Sequence, residues 1–343
     1  MRLGVCVLVG VLGCWLAVGE EPAAKPEPIE VKVLVLNFDP VVLPEKKTRL
    51  HEVGRWHDPR ALAKGYAADV LAASGGLVRY RVVDWQDIDA FPIKTDGFTY
   101  TREEYLRCHQ AGKGWHQPDG ADYPKVLAQH KVAERVEKGE IDEVWWFGGP
   151  YFGFYESAMA GAGAFYINGG VFGADKVPCR RAFAIMGFNY ERGVAEMVHN
   201  LCHRTESTMG RVFGGWKVDK LDTDWARFAA NAKQSGGVAA VGTCHYPPNG
   251  ESDYDYANKR LVDSSADDWL AYPDLKGATK KVNCETWGGP DYHRNYMTWW
   301  FKRLPRAEGV NPKTERLNNW WRYVFQFNDY DERGRPVKAA RGQ

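Results

Sequence analysis

The 343-residue chain carries 45 Lys and Arg against 44 Asp and Glu, a formal net charge of +1. A balance this even leaves no electrostatic footprint for nucleic acid or an anionic membrane, so neither is an expected partner. The 14 Trp and 17 Tyr are the unusual feature; aromatics at that density thicken a core and also build flat, amphipathic contact platforms.

Residues 1–19 open with the basic Arg2, continue through an apolar run from Leu3 to Ala17, and end on Ala17-Val18-Gly19. That is the pattern of a secretory signal peptide, with cleavage after Gly19 and a mature chain starting near Glu20. A rival reading takes Val11-Leu12-Gly13-Cys14 as a lipoprotein box that leaves Cys14 lipidated. Neither this run nor any later stretch reaches the ~20 apolar residues that span a bilayer. Residues 20–28, made of Pro, Glu, Ala and Lys with little else, read as a short spacer. The expected location is secreted, periplasmic or at the cell surface, where disulfides persist. Of the 7 Cys, Cys6 and Cys14 fall in the leader. Cys108, Cys179, Cys202, Cys244 and Cys284 remain, an odd set that leaves at least one thiol free or paired between chains. Cys202, inside an expected helix, is the candidate free thiol; Cys244 with Cys284 is a pairing that spacing allows without fixing it.

Residues 29–38, IEVKVLVLNF, are β-branched and alternating, as a half-buried strand requires. Residues 59–74 read as a helix with Asp58 as N-cap and Pro59 in the first turn, stopped by Gly75-Gly76. A second strand follows over 77–85; after a long excursion over 86–122, residues 124–138 read as a helix ended by Gly139, and 143–147 as a third strand. This order gives an α/β fold with a mixed, mainly parallel sheet and crossover helices. The glycine-rich stretch 148–170 allows close backbone approach, and 164–168 is expected to add a strand at the sheet edge. The chain then divides into an α/β domain over 29–210, a helical and loop-rich C-terminal lobe over 211–331, and a polar tail over 332–343. In that lobe 222–233, 292–303 and 315–327 read as helices, with Trp299, Trp300, Trp320 and Trp321 packing together. Residues 242–256 are an irregular polar and aromatic segment of the kind that carries binding groups.

The densest chemistry lies in residues 189–210, NYERGVAEMVHNLCHRTESTMG. As a helix capped by Asn189 and closed by a left-handed Gly210, it puts Glu196, His199, His203 and Glu206 on one face. Two imidazoles one turn apart converge on a single metal ion. His199 and Glu206 stand about 10.5 Å apart at about 1.5 Å per residue, so one ion cannot take both His and both Glu. A third ligand must come from elsewhere. His245, in the segment GTCHYPPNG stiffened by Pro247 and Pro248, is the first candidate, with Asp222 and His293 behind it. Glu196 and Glu206 are then free to orient an imidazole or to act as catalytic base.

The segment HNLCH from His199 to His203 resembles the active-site helix of zincin metallopeptidases, whose motif is H-E-x-x-H, with both His in the places of zinc ligands. Asn200 stands where that motif has its catalytic Glu, and an amide cannot take a proton from zinc-bound water. Met209 occupies the place of the third His of a metzincin. The resemblance implies zinc, a mixed sheet whose edge strand lines a cleft ahead of the metal-binding helix, and peptidase-like hydrolysis. The first function weighed is therefore an exported zinc-dependent hydrolase of an extracellular peptide or peptide-like bond, either using another base or catalytically degenerate. For it, Tyr151, Phe152, Tyr155, Glu156 and Tyr246 are the expected substrate contacts. A second is a non-catalytic protein that binds a glycan or surface partner through the aromatics of 148–155 and 242–256. A third is a metal-free glycosidase using a pair among Glu156, Glu196, Glu206 and Glu285, about 5 to 9.5 Å apart.

Overall fold

The computed structural model describes residues 27–215 and 217–337. The expected signal peptide, the Cys14 alternative, most of the spacer and the end of the polar tail lie outside the described residues.

Six strands, β1 (Ile29–Phe38), β2 (Val78–Ile88), β3 (Glu143–Gly148), β4 (Ser157–Ala160), β5 (Val171–Phe172) and β6 (Phe183–Asn189), form one sheet in the order β2-β1-β3-β6-β4-β5. The first four in that order are mutually parallel, and β4 runs antiparallel to β6. The fold is thus mixed α/β with a mainly parallel central sheet. Every β1 side chain from Val33 to Phe38 is buried, because helices cover both faces of a parallel sheet and remove the reason to alternate.

Helix α1 (Pro59–Ala73) starts on Asp58, whose carboxylate accepts the Ala61 N–H at 2.7 Å. Helix α2 (Arg102–Ala111) forms within the excursion after β2. The single helix expected over 124–138 is two, α3 (Tyr123–Gln129) and α4 (Val132–Glu137), broken where Lys131 turns left-handed at φ 52°. Residues 164–168 make no strand: β5 closes the edge instead, and 164–168 form a loop.

Helix α5 (Val194–Phe213) follows β6. Asn189 ends the strand rather than capping the helix; the N-cap is Gly193, and α5 runs through Gly210 to a left-handed Gly214 at φ 77°. The extra turn buries Val212 and Phe213, which offsets the helix penalty of an internal glycine, about 1 kcal/mol. Later, 222–233 shortens to α6 (Asp224–Phe228), α7 (Tyr292–Arg303) forms as expected, and 315–327 splits into a short strand, Leu317–Asn319, and α8 (Trp320–Phe325). The four Trp do not make one stack. Trp300 and Trp320 each approach Trp225 at 6.3 Å, whereas Trp299 packs on Trp287 and Trp321 on Phe301. One hydrophobic cluster runs from Ile29 to Val324, so the segments before and after residue 210 share a core.

The inward face of α5 is tied to the sheet. The Asn200 side-chain amide donates to Gly187 O at 2.8 Å, and Arg204 pairs with Glu143 at 2.6 Å while donating to Val324 O at 2.9 Å. These anchors fix the rotation of the helix and turn His199, His203 and Glu206 the other way. Gly187 is also where the segment before β4 crosses closely: a Cβ there would meet Tyr155 O at 2.1 Å. That approach sets Glu156 beside the helix.

Candidate metal centre

The outward face of α5 meets the 242–256 loop and the start of α7. His199 Nε2 lies 2.9 Å from His203 Nε2, and His203 Nε2 lies 3.1 Å from His245 Nε2. The ligand atoms of the three His all fall within 4.8 Å of one another. With metal–nitrogen bonds of about 2.0–2.1 Å, tetrahedral ligand atoms stand about 3.3 Å apart, so this trio needs little adjustment to hold an ion. His245, the first candidate for third ligand, is therefore in place.

A disulfide between Cys202 and Cys244 brings it there, with Cα atoms 5.9 Å apart across 42 residues. Both cysteine expectations reverse: Cys202 is bonded, and Cys284 is a free, buried thiol, like Cys108 and Cys179. Each bridged cysteine immediately precedes a candidate ligand, so the bond clamps His203 and His245 together.

The second nitrogen of each imidazole faces a partner. His203 Nδ1 lies 3.1 Å from Glu206 Oε2, His199 Nδ1 lies 3.0 Å from His293 Nε2, and His245 Nδ1 lies 3.6 Å from Asp253. His293 in turn points its Nδ1 at Glu196, 3.8 Å away. At His203 the Glu206 carboxylate is an acceptor that favours the tautomer with Nε2 as a lone pair aimed inward, the arrangement that outer partners of metal ligands enforce. Burial, then the neighbouring His203, His293 and His245, push the His199 pKa down to about 2. For His203 burial also lowers the pKa, but the hydrogen bond and charge of Glu206 outweigh it and the net shift is upward.

The glutamates divide the roles differently from expectation. Glu206 is buried with both oxygens engaged, one by His203 and the other accepting the Cys244 N–H at 2.8 Å. It therefore positions His203 and the loop, with both oxygens turned away from the Nε2 side. Glu196 reaches Arg192 at 3.4 Å and His293, behind the ligands. Glu156, expected as a substrate contact, comes nearest to the open side. Its Oε2 is 3.9 Å from His203 Nε2, and the Asn168 amide donates to it at 2.6 Å.

Cavities lie on both sides. One of about 810 Å³ is lined by His203, Glu206, His245 and Tyr246, together with Phe165 and Arg211. Another of about 380 Å³ is lined by Tyr151, Phe152, Glu156, Glu196 and Tyr254, and a third of about 370 Å³ by His199, His293 and Tyr256. The stripe on α5 is thus shared between cavities. Tyr155 lines none of the three; Glu285 and Asp222 do not line them either. Sequence reasoning missed Asp253 and Asn168, and reached Tyr254 and Tyr256 only as aromatics of the 242–256 segment that it marked for binding. Tyr254 sits 4.5 Å from the His245 ring, and the Tyr256 hydroxyl donates to Cys244 O at 2.7 Å. Tyr151, Asn168 and Tyr254 all hold positive φ, at 60°, 89° and 60°. Strained backbone gathers at such sites when surrounding structure holds it.

No known family, curated protein or solved structure matches this chain. The centre is therefore read from its own geometry.

Proposed function

We propose that the chain is an exported zinc-dependent hydrolase of a peptide or peptide-like bond, on a zincin-like helix whose base has moved from residue 200 to Glu156. The observation that carries this reading is the convergence of three Nε2 atoms, with hydrogen-bond partners at the Nδ1 of His199 and His203 and Asp253 at 3.6 Å from that of His245. Three imidazoles suit zinc, copper or nickel, and three protein ligands with an open position are the pattern of catalytic zinc. When bound, the ion supplies Lewis-acid polarisation and a more acidic water. Glu156, exposed and steadied by Asn168, is the residue placed to accept a proton from an attacking water and pass it to the amine released when the C–N bond breaks. Tyr151, Phe152 and Tyr254 on one side and Tyr246 on the other hold the substrate across the centre. The disulfide supports an oxidising compartment. Mass spectrometry of the mature N-terminus checks export, a start near Glu20 being expected and a lipid on Cys14 refuting that cleavage site.

The test is elemental analysis of protein incubated with zinc and then dialysed, alongside cleavage of a quenched-fluorescence peptide library. Wild type retains stoichiometric zinc and cleaves; His203→Ala does neither; Glu156→Gln keeps zinc and loses at least about a hundredfold in kcat. No retained metal in wild type would overturn the reading. One observation favours glycan binding instead: the half-exposed Tyr151 stacks on Trp115 at 4.0 Å. Glycan binding that survives EDTA, without hydrolysis, would support that alternative.

A further inference from the structure

The larger cavity is chemically polarised. Its two carboxylates, Glu206 and Asp253, sit at the imidazole end and face His203 and His245. Further along α5 the wall carries Arg211, the one Lys or Arg among the described residues that line it. Eight residues separate Arg211 from His203, about 12 Å along the axis at about 1.5 Å per residue. The guanidinium lies 4.3 Å over the Phe165 ring and makes no ion pair among the described residues. Two acids, Glu332 and then Asp331, act on it from beyond ion-pair reach, and Asp331 is committed to Arg335 at 2.7 Å. A half-buried guanidinium braced on a ring, with no carboxylate in ion-pair contact among the described residues, is a ready anion receptor.

We propose that Arg211 binds a carboxylate of the peptide substrate about three residues beyond the bond held at the imidazoles, a reading that rests on the metal-dependent hydrolase above. An extended chain advances about 3.3 Å per residue, so three to four residues cover the distance. The carboxylate is either the free C-terminus or an acidic side chain. A peptide needs only one such group, whereas a uronate chain would set repeated carboxylates against Glu156, Glu206 and Asp253.

The experiment uses the full zinc-loaded chain and three peptide hydroxamates, read by isothermal titration calorimetry. The hydroxamate chelates the metal, and three residues follow it, ending in a free carboxylate, in a neutral amide, or in an amide with Glu as the third residue. Wild type is expected to bind one or both acids at least about tenfold more tightly than the neutral amide, the scale of one charge-assisted hydrogen bond. Which acid it prefers identifies the C-terminus or the side chain. Arg211→Ala and Arg211→Gln should erase that preference while leaving amide affinity and zinc content unchanged. Equal binding of acids and amide by wild type would overturn the proposal and leave the metal reading standing. Absence of zinc, or of any hydroxamate binding, would overturn both. Binding of trigalacturonate that is lost in Arg211→Ala, with peptide acids and amide bound alike, would overturn the peptide assignment.

Discussion

The inward-facing lone pairs depend on what each imidazole meets at its other nitrogen. Glu206→Gln keeps the shape of the side chain but weakens its hold on the His203 Nδ1 proton. Zinc affinity should fall about 10–100-fold, measured by competition with a chromogenic chelator, with the fold unchanged. Asn200→Glu restores the spelling H-E-x-x-H yet should gain no hydrolysis. Residue 200 faces Gly187 O in β6, so a carboxylate there would lose a hydrogen bond and meet a carbonyl oxygen. The expected result is a loss of about 1–3 kcal/mol or more in denaturant titration. Rising turnover in Asn200→Glu would show instead that this side chain can reach the imidazoles.

At the scale of elements, α5 was legible because the His and Glu spacings match its period, and those residues do share an outward face. The loop partner was legible too, since Pro247 and Pro248 mark a stiff segment able to present His245. What stayed hidden was tertiary. Strand β6 is a run of seven residues of which all but Asn189 are buried, and continuous burial carries no period to distinguish strand from helix. Asn189 looked like an N-cap by residue type, whereas the cap is a glycine with no side chain to advertise it. Cysteine spacing holds no information about which thiols meet, so the Cys202–Cys244 bond could emerge only from the packing of loop on helix. Replacing both by Ser should cost about 2–4 kcal/mol by denaturant titration and also weaken zinc binding, since His245 loses its tether. Unchanged zinc affinity would show that Glu206 and Tyr256 hold the loop unaided.

Across the whole molecule the Arg204–Glu143 pair joins the back of α5 to the centre of the sheet, with both side chains almost wholly buried. Glu143→Gln strands a buried cation and should cost about 3–5 kcal/mol, whereas the double change Arg204→Met with Glu143→Leu should cost less, as a thermodynamic cycle would show. The clamp between Cys202 and Cys244 has an effect on covalent architecture as well. His199 and His203 lie before the exposed turn around Lys217 and Lys220, and His245 lies after it. A trypsin nick at either lysine would yield a heavy and a light piece that still travel as one band without reductant and as two with it. The nicked protein should keep its zinc until dithiothreitol is added, because the site is closed through sulfur rather than through the peptide chain.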